Sequence, residues 1–357
     1  MKEYENDVAS NPFTLSFGNK PYEYVSRESD KNELIEKISA PTPISHCFMI
    51  SGVRGSGKTV MLTTIAKHFS DEKEWIVIDL NPEDDMREAL AAKLYSAAHI
   101  KRFFVEKNFS FSFQGASFSL KGKNPILNID DLLDKMFKEL SKQGKKILVT
   151  IDEASNNKFM RQFALSFQML IREGYPLFVL ATGLFENISA LENENNMTFL
   201  IRAPKIYLSS LNLLSIKASY QTTLGLSEED AAQCAKLTKG YAFAFQLLGY
   251  LMFESKSKSI NRKLLALFDQ YLDEYAYSKI WVSLSDVERR ILSSFGGDSP
   301  VQTAKILEAN KMTKGYFSRY RDRLIKKGLL IAEARGKLMF ALPRFNAFIE
   351  HKNIFDY

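Results

Sequence analysis

The octapeptide "GVRGSGKT", Gly52 to Thr59, matches the spacing GxxxxGK[ST] at every fixed position. Glycines at 52, 55 and 57 let backbone N–H groups curl round a phosphate at the positive end of a helix. Lys58 is placed to reach the β- and γ-phosphates of a nucleotide, and the Thr59 hydroxyl to ligate a hard cation. The flanks agree with this chemistry, because an apolar run precedes the loop and a helical pattern follows it. The expected binding set is Gly52, Val53, Arg54, Gly55, Ser56, Gly57, Lys58, Thr59 and Val60, with ATP and Mg²⁺ as cofactors.

A cation held this way needs an acidic partner at the tip of a neighbouring strand. "ILVTIDEAS" supplies Asp152 after an apolar run, with Glu153 adjacent. Asp152 is the second expected magnesium ligand, and Glu153 the expected base for the attacking water, so the pair predicts hydrolysis. Thr182, in "LFVLATG", ends the next apolar run, where its hydroxyl would face the γ-phosphate. Arg202, in "FLIRAPKIYL", is either a surface arginine or one that reaches the phosphates of a neighbouring subunit.

These groups must be held by an α/β scaffold. Between residues 45 and 209 short apolar runs alternate with helical patterns, the signature of a parallel sheet covered by helices. "HCFMIS", "EWIVIDL", "KKILVTID", "PLFVLATG" and "APKIYLSSL" read as its strands. "NFSFSFQGASFSLKG", 108 to 122, alternates phenylalanines round Gly115 and reads as a hairpin whose apolar face packs on its own domain. From 211 the pattern turns all-helical, and Ser227 with Asp230 supplies one helix start. After 279, three helical patterns and two short apolar runs round Arg335-Gly336-Lys337 describe a winged helix-turn-helix. The expected division is an N-terminal segment 1–44, an α/β core 45–210, a helical lid 211–278 and a winged helix 279–357.

Charge singles out the last of these. The net charge is +6, yet from Lys279 onward fifteen Lys plus Arg face eight Asp plus Glu, while the residues before it hold thirty-three against thirty-four. The electrostatic footprint for nucleic acid therefore belongs to the C-terminal fifth. In "KMTKGYFSRYRDRLIKKG", 311 to 328, steps of about 100° put Phe317, Tyr320 and Leu324 on one face, as a core stripe. Thr313 is the natural N-cap. Arg319, Arg323 and Lys326 form one basic ridge, with Lys314 and Ser318 near the helix start. Ser318 and Arg319 are the base-edge candidates, Arg323 and Lys326 suit phosphates, and Arg335 and Lys337 occupy the wing tip. Double-stranded DNA is the expected partner.

Composition excludes other classes. No stretch reaches the roughly 18 apolar residues of a membrane span, and "MKEYENDVAS" is not a secretory signal. Cys47 and Cys234 lie far apart and suit a reducing, cytoplasmic setting, as small buried hydrophobes. The four histidines form no ligand spacing with them, which argues against zinc.

The motifs together resemble the origin-recognition, initiator-like branch of AAA+ ATPases, which overlaps the archaeal-ATPase and STAND-type P-loop proteins ending in a winged helix. "NPFTLSFG" is similar to that family's opening motif. "YVSRESDKNEL" resembles its "GRexEL" box, which implies base-side contacts for Val25 and Arg27, with Ser26 in place of the family's glycine. "KGYAFAFQLLG" resembles the lid motif "GYPYFLQ", with Ala242 in place of proline, and no sensor-2 arginine is evident there. The resemblance implies an ATPase whose nucleotide state gates a DNA-binding winged helix. The alternative is a STAND-like switch, as a homo-oligomer or with a protein partner, that uses the winged helix for protein contacts.

Overall fold

The computed structural model describes residues 10–16, 21–96, 98–112 and 119–355. Two compact units emerge. One comprises Glu28–Ser51 and Lys58–Leu208; the other comprises the N-terminal residues to Arg27, the short turn Gly52–Gly57, and Ser209 onward.

The first unit is built on a five-stranded, all-parallel sheet. In chain order the first unit runs α1 (Glu28–Ser39), β1 (Cys47–Ser51), α2 (Lys58–Ser70), β2 (Trp75–Leu80), α3 (Met86–Tyr95) and α4 (Ala98–Glu106). The short strands β3 (Phe109–Ser112), β4 (Ser119–Leu120) and β5 (Asn124–Pro125) follow, then α5 (Ile129–Lys142) and β6 (Lys146–Ile151). The unit closes with α6 (Lys158–Arg172), β7 (Leu177–Gly183), α7 (Phe185–Glu192), a 3-10 segment Asn195–Arg202, and β8 (Lys205–Tyr207). The sheet order is β2-β6-β7-β1-β8, which places all five anticipated strands in one sheet.

Covered on both faces, these strands read as unbroken apolar runs rather than alternating ones. β1 and β7 are buried at every residue. Alternate side chains still separate by face: Phe48, Ile50, Phe178 and Leu180 pack with Leu34, Met61, Ile65 and Phe69 of α1 and α2. Met49, Val179 and Ala181 pack instead with α3, α5 and α6 through Leu90, Met136 and Phe163. Asparagine or aspartate starts three of the helices: Asp85, Asn128 and Asn157 accept the free N–H groups of α3, α5 and α6.

The phenylalanine-rich segment is a hairpin in part, β3 pairing with β4 through Phe111 and Leu120. Phe111 is buried against Tyr95 and Phe104, so its apolar face packs on its own unit. Residues 113–118 of that segment, and 17–18 of the opening motif, lie outside the described residues.

The second unit is mostly helical: α8 (Leu213–Leu224), α9 (Glu228–Thr238), α10 (Ala242–Ser255) and α11 (Arg262–Leu272). A π-helical stretch, Asp273–Tyr277, joins α11 to α12 (Ser278–Val282) without a break. The chain continues through α13 (Asp286–Ser293), β9 (Val301–Gln302), α14 (Thr303–Asn310) and α15 (Lys314–Lys326). β10 (Leu330–Ala334), β11 (Lys337–Phe340) and α16 (Phe345–Phe355) complete it, with strands ordered β10-β11-β9. One apolar cluster runs through this unit, from Phe13 and Val25 through Tyr220, Phe245 and Tyr277 to Phe317, Leu324 and Phe340. The helix joining 262 to 282 is the covalent counterpart of that continuity. Both cysteines are buried, and burial pushes each thiol up to about 12. No helix among the described residues is long and apolar enough to cross a membrane.

On α15, Phe317 and Leu324 are buried in the apolar cluster and Tyr320 packs against it half-buried, its hydroxyl 3.2 Å from that of the exposed Tyr316. Arg323, expected on the solvent ridge, lies 3.4 Å from Oε1 of Glu288. Glu288 belongs to the capping box of α13, accepting from the Ser285 N–H at 2.8 Å, and Lys327 Nζ is 2.8 Å from the same carboxylate. Glu288 and Lys327 are both buried. A buried carboxylate attracts the cations within reach, and Arg323, which stays exposed, is one of them.

Burial alone would raise the Glu288 pKa, but the adjacent Lys327 ammonium and hydrogen bonds from Ser285 outweigh it and hold the group below its ordinary value of 4.5. A depressed carboxylate stabilises the fold above its unfolded pKa and loses that contribution as pH falls through the folded value. Glu288→Ala breaks the buried ion pair with Lys327 and removes the capping carboxylate of α13, and should cost about 3 kcal/mol in denaturant unfolding at pH 7. The wild-type advantage over the variant should shrink below about pH 4.5; a difference independent of pH would refute the ion pair as its source.

Candidate functional site

The carboxyl ends of β1, β6 and β7 lie side by side, because these strands are neighbours in the sheet. In an open parallel sheet this is where ligands bind, since the strand order reverses there and leaves a crevice. Asp152 and Glu153 follow β6, Thr182 is the penultimate residue of β7, and Lys58 and Thr59 open α2.

Asp152 ties these ends together. Its Oδ2 accepts the Thr59 hydroxyl at 2.8 Å, and its Oδ1 accepts the Thr182 hydroxyl. Thr59 and Asp152, the two expected magnesium ligands, are therefore already in contact, and two hard oxygens suit Mg²⁺. Thr182 is fully buried. Its hydroxyl, expected to face a γ-phosphate, also accepts the Glu153 N–H at 3.0 Å, and its carbonyl accepts the Ala154 N–H at 2.8 Å. Thr182 is thus committed to shaping the acidic turn.

That turn is strained. Glu153 has φ +53°, a left-handed conformation that a side chain with a Cβ rarely adopts. Lys239, Lys256 and Lys311 share this conformation as helix C-caps, where it is ordinary. Glu153 instead follows a strand, its side chain exposed and its backbone pinned by Thr182 from both sides. Strain retained at a strand end beside a phosphate-binding loop points to work done by that side chain.

The loop itself carries two left-handed glycines, Gly55 at φ +75° and Gly57 at +92°. At Gly55 a Cβ would stand 2.4 Å from the Tyr241 hydroxyl and 2.9 Å from Cβ of Phe243, so no other residue fits. Tyr241 donates to the Arg54 carbonyl at 2.6 Å, and the Phe243 N–H to the Gly55 carbonyl at 3.0 Å. Lys58 is buried. The hydroxyls of Ser51 and Ser56 are buried with no hydrogen-bond partner among the described residues, donors that a phosphate oxygen would satisfy. Val60 follows, half-buried, in α2.

The remaining expected residues are distributed as follows. Arg27 donates through Nε and Nη2 to the Ser209 carbonyl at 3.0 and 2.9 Å. Its Nη1 stands 3.3 Å from where a Gly57 Cβ would be, beside the phosphate loop. Val25 is buried in the apolar cluster of the second unit. Arg202 is exposed at the end of the 3-10 segment. On α15, Thr313 caps the helix through the Tyr316 N–H. Lys314, Arg319 and Lys326 are exposed and make no ion pair among the described residues; Ser318 is half-buried. Arg335 and Lys337 are exposed at the β10–β11 turn.

Sequence reasoning missed Tyr241 and Phe243, although both stand in the "KGYAFAFQLLG" stretch it singled out. Spacing reveals residues of one loop, whereas these reach it from 187 or more positions away.

A phosphate loop at the end of β1, with its acidic partner after β6, fixes the class. The chain carries a P-loop NTPase domain. The KAP family P-loop domain matches residues 27–162, and a domain of unknown function, DUF8462, matches 274–349. No curated protein matches the sequence. Among solved structures, the chain is similar to the Walker-type ATPase PABY2304 of Pyrococcus abyssi, with TM-score 0.60 and 14% identity over 95% of this chain and 99% of that one. It is also similar to the Aeropyrum pernix ORC2 protein, solved in ADPNP-ADP complexes, with TM-score 0.55 and 14% identity over 94% and 96%. The chain therefore shares its fold with these two solved proteins.

Glu153 gives a test of strain in isolation. Glu153→Gly relieves a left-handed residue and should raise the unfolding free energy by about 0.5–1 kcal/mol, net of glycine's greater unfolded-state entropy. Denaturant titration reads this directly, and a loss of stability would mean that Glu153 is not strained.

Proposed function

We propose that this protein binds ATP with Mg²⁺, hydrolyses it, and uses nucleotide state to gate a C-terminal winged helix on double-stranded DNA. The observation that carries hydrolysis is the pinned, left-handed Glu153 beside Asp152. A chain that only held nucleotide would have no use for this strain. The backbone amides of Gly52–Gly57 and the ammonium of Lys58 hold the phosphates, with Arg27 beside Gly57. Mg²⁺, held by Thr59 and Asp152, would supply charge neutralisation on the β- and γ-oxygens. Glu153 takes a proton from the attacking water, whose oxygen bonds to the γ-phosphorus while the bridging P–O bond breaks to leave ADP. Thr182 positions that base. Exposed Arg202 is free to meet the phosphates of a neighbouring copy.

Gating is supported within the second unit. The loop turn Gly52–Gly57 clusters with the helical lid and the C-terminal helices. Val53 Cβ lies 3.4 Å from where a Cβ on Gly328 would stand, and Gly328 immediately follows the C-cap of α15. A loop that shifts on binding phosphate therefore presses on the end of the basic helix, a short mechanical link between nucleotide and output. The order α13, α14, α15 and the β10–β11 hairpin supports the winged helix. Lys314, Arg319, Lys326, Arg335 and Lys337 form its exposed basic set, Ser318 adds a hydroxyl at the helix start, and Arg323 contributes what its pairing with Glu288 leaves.

Two outcomes follow. Glu153→Gln should lower ATP turnover by roughly 100-fold or more while retaining bound ATP; equal turnover would sink the catalytic assignment. Arg319→Ala with Lys326→Ala should weaken duplex binding and flatten the slope of log K against log salt by about 2. If the unmutated protein shows no salt-sensitive duplex binding, the winged helix is a protein-docking module.

A further inference from the structure

The carbonyls of a phosphate-binding loop pose a problem that its N–H groups do not. They point away from the anion and, if left loose, let each peptide flip and turn an oxygen toward it. In this protein two of them are fastened from the lid. Tyr241, the N-cap residue of α10, is 5% exposed and donates its hydroxyl to the Arg54 carbonyl at 2.6 Å. The Phe243 N–H, in the first turn of that helix, donates to the Gly55 carbonyl at 3.0 Å. A trans peptide sets its N–H opposite its C=O, so fixing the Arg54 oxygen fixes the Gly55 N–H on the side away from the lid.

We propose that Tyr241 is a positioning residue for nucleotide binding, its hydroxyl holding the Arg54–Gly55 peptide so that the Gly55 N–H is presented to phosphate. The inference rests on the nucleotide-binding reading above and goes further, by assigning the loop's shape to a residue outside the loop. Gly55 is the complementary half of the contact, since the hydroxyl occupies the space a Cβ there would take. Burial raises the Tyr241 pKa, which keeps the phenol a donor at any working pH. On its other side the Tyr241 ring stacks on Tyr277, centroids 6.5 Å apart. The Tyr277 hydroxyl donates to the Pro343 carbonyl at 2.5 Å, so the ring is held by the C-terminal helices independently of its own hydroxyl.

That arrangement permits a clean test. Tyr241→Phe keeps the ring and removes only the donor. A matched control exists in the same unit, because the buried Tyr220 hydroxyl donates to the Phe245 carbonyl at 2.8 Å, far from any loop residue in sequence and bonded only within the lid. Tyr220→Phe removes the same kind of bond. ATP affinity by calorimetry, steady-state hydrolysis and thermal melting are measured for wild type and both variants. Tyr241→Phe should weaken ATP binding by about 3- to 10-fold and raise KM alike, with kcat unchanged. Tyr220→Phe should lower the melting temperature without changing ATP affinity. Unchanged affinity in Tyr241→Phe, or an equal loss in Tyr220→Phe, would overturn the proposal while leaving the nucleotide reading intact. A wild-type protein that binds no ATP would overturn both.

Discussion

One carboxylate organises the carboxyl end of the sheet. Asp152 accepts hydroxyls from Thr59 and Thr182, which belong to the elements that follow β1 and end β7. Because β6 and β7 are hydrogen-bonded neighbours, in register to Ile151 opposite Ala181, the geometry is set before any ligand arrives. The strain at Glu153 is affordable only because this scaffold over-determines it: the residue's N–H and the next one are both captured by Thr182. Removing the sheet's rigidity would let Glu153 relax and lose its direction.

The second unit solves a different problem, that of a loop with no regular structure of its own. Its glycines allow the curl but do not enforce it, and a flexible loop would spend binding energy on ordering itself. Helix α10 supplies the enforcement through its N-cap tyrosine hydroxyl and its first turn. Here helix α10 spends one of its unpaired N–H groups on the loop, which serves both elements. Since the same unit contains Gly328 and the end of α15, the loop is shaped by the part of the chain that would read it out.

The sequence made the sheet legible because double-sided burial leaves unbroken apolar runs, and all five were readable. Helices α1, α4, α7 and α16 were not. α1 has a weak apolar stripe with only Leu34 and Ile38 buried, and α4 ends beside the phenylalanine-rich segment that dominates its surroundings. Strand β9 is two residues long, too short to show any period. The loop's own residues were legible from spacing, and Thr59, Asp152 and Thr182 do meet. The direction of the Thr182 hydroxyl was not legible, since a strand-end threonine looks the same whether it faces a ligand or a backbone turn. Tyr241 was invisible for a related reason: its partner is a carbonyl, and a main-chain acceptor has no sequence signature.

Charge shows the same limit from the opposite side. The C-terminal excess of basic residues is real, but the fold pairs part of it with carboxylates. Lys327 and Arg323 face Glu288, Arg344 is bound bidentately by Asp269, and Arg321 pairs with Asp322. Formal charge counts these side chains equally, whereas a buried or paired cation releases few counterions when a phosphate approaches. Among the exposed cations that remain, Lys314, Arg319 and Lys326 lie along α15, and Arg335 and Lys337 stand at the β10–β11 turn. The buried Glu288 thereby shapes the outer surface as well as the core. It pairs with the buried Lys327 and borders the exposed Arg323, so it fixes where two of the cations of α15 and its C-cap sit.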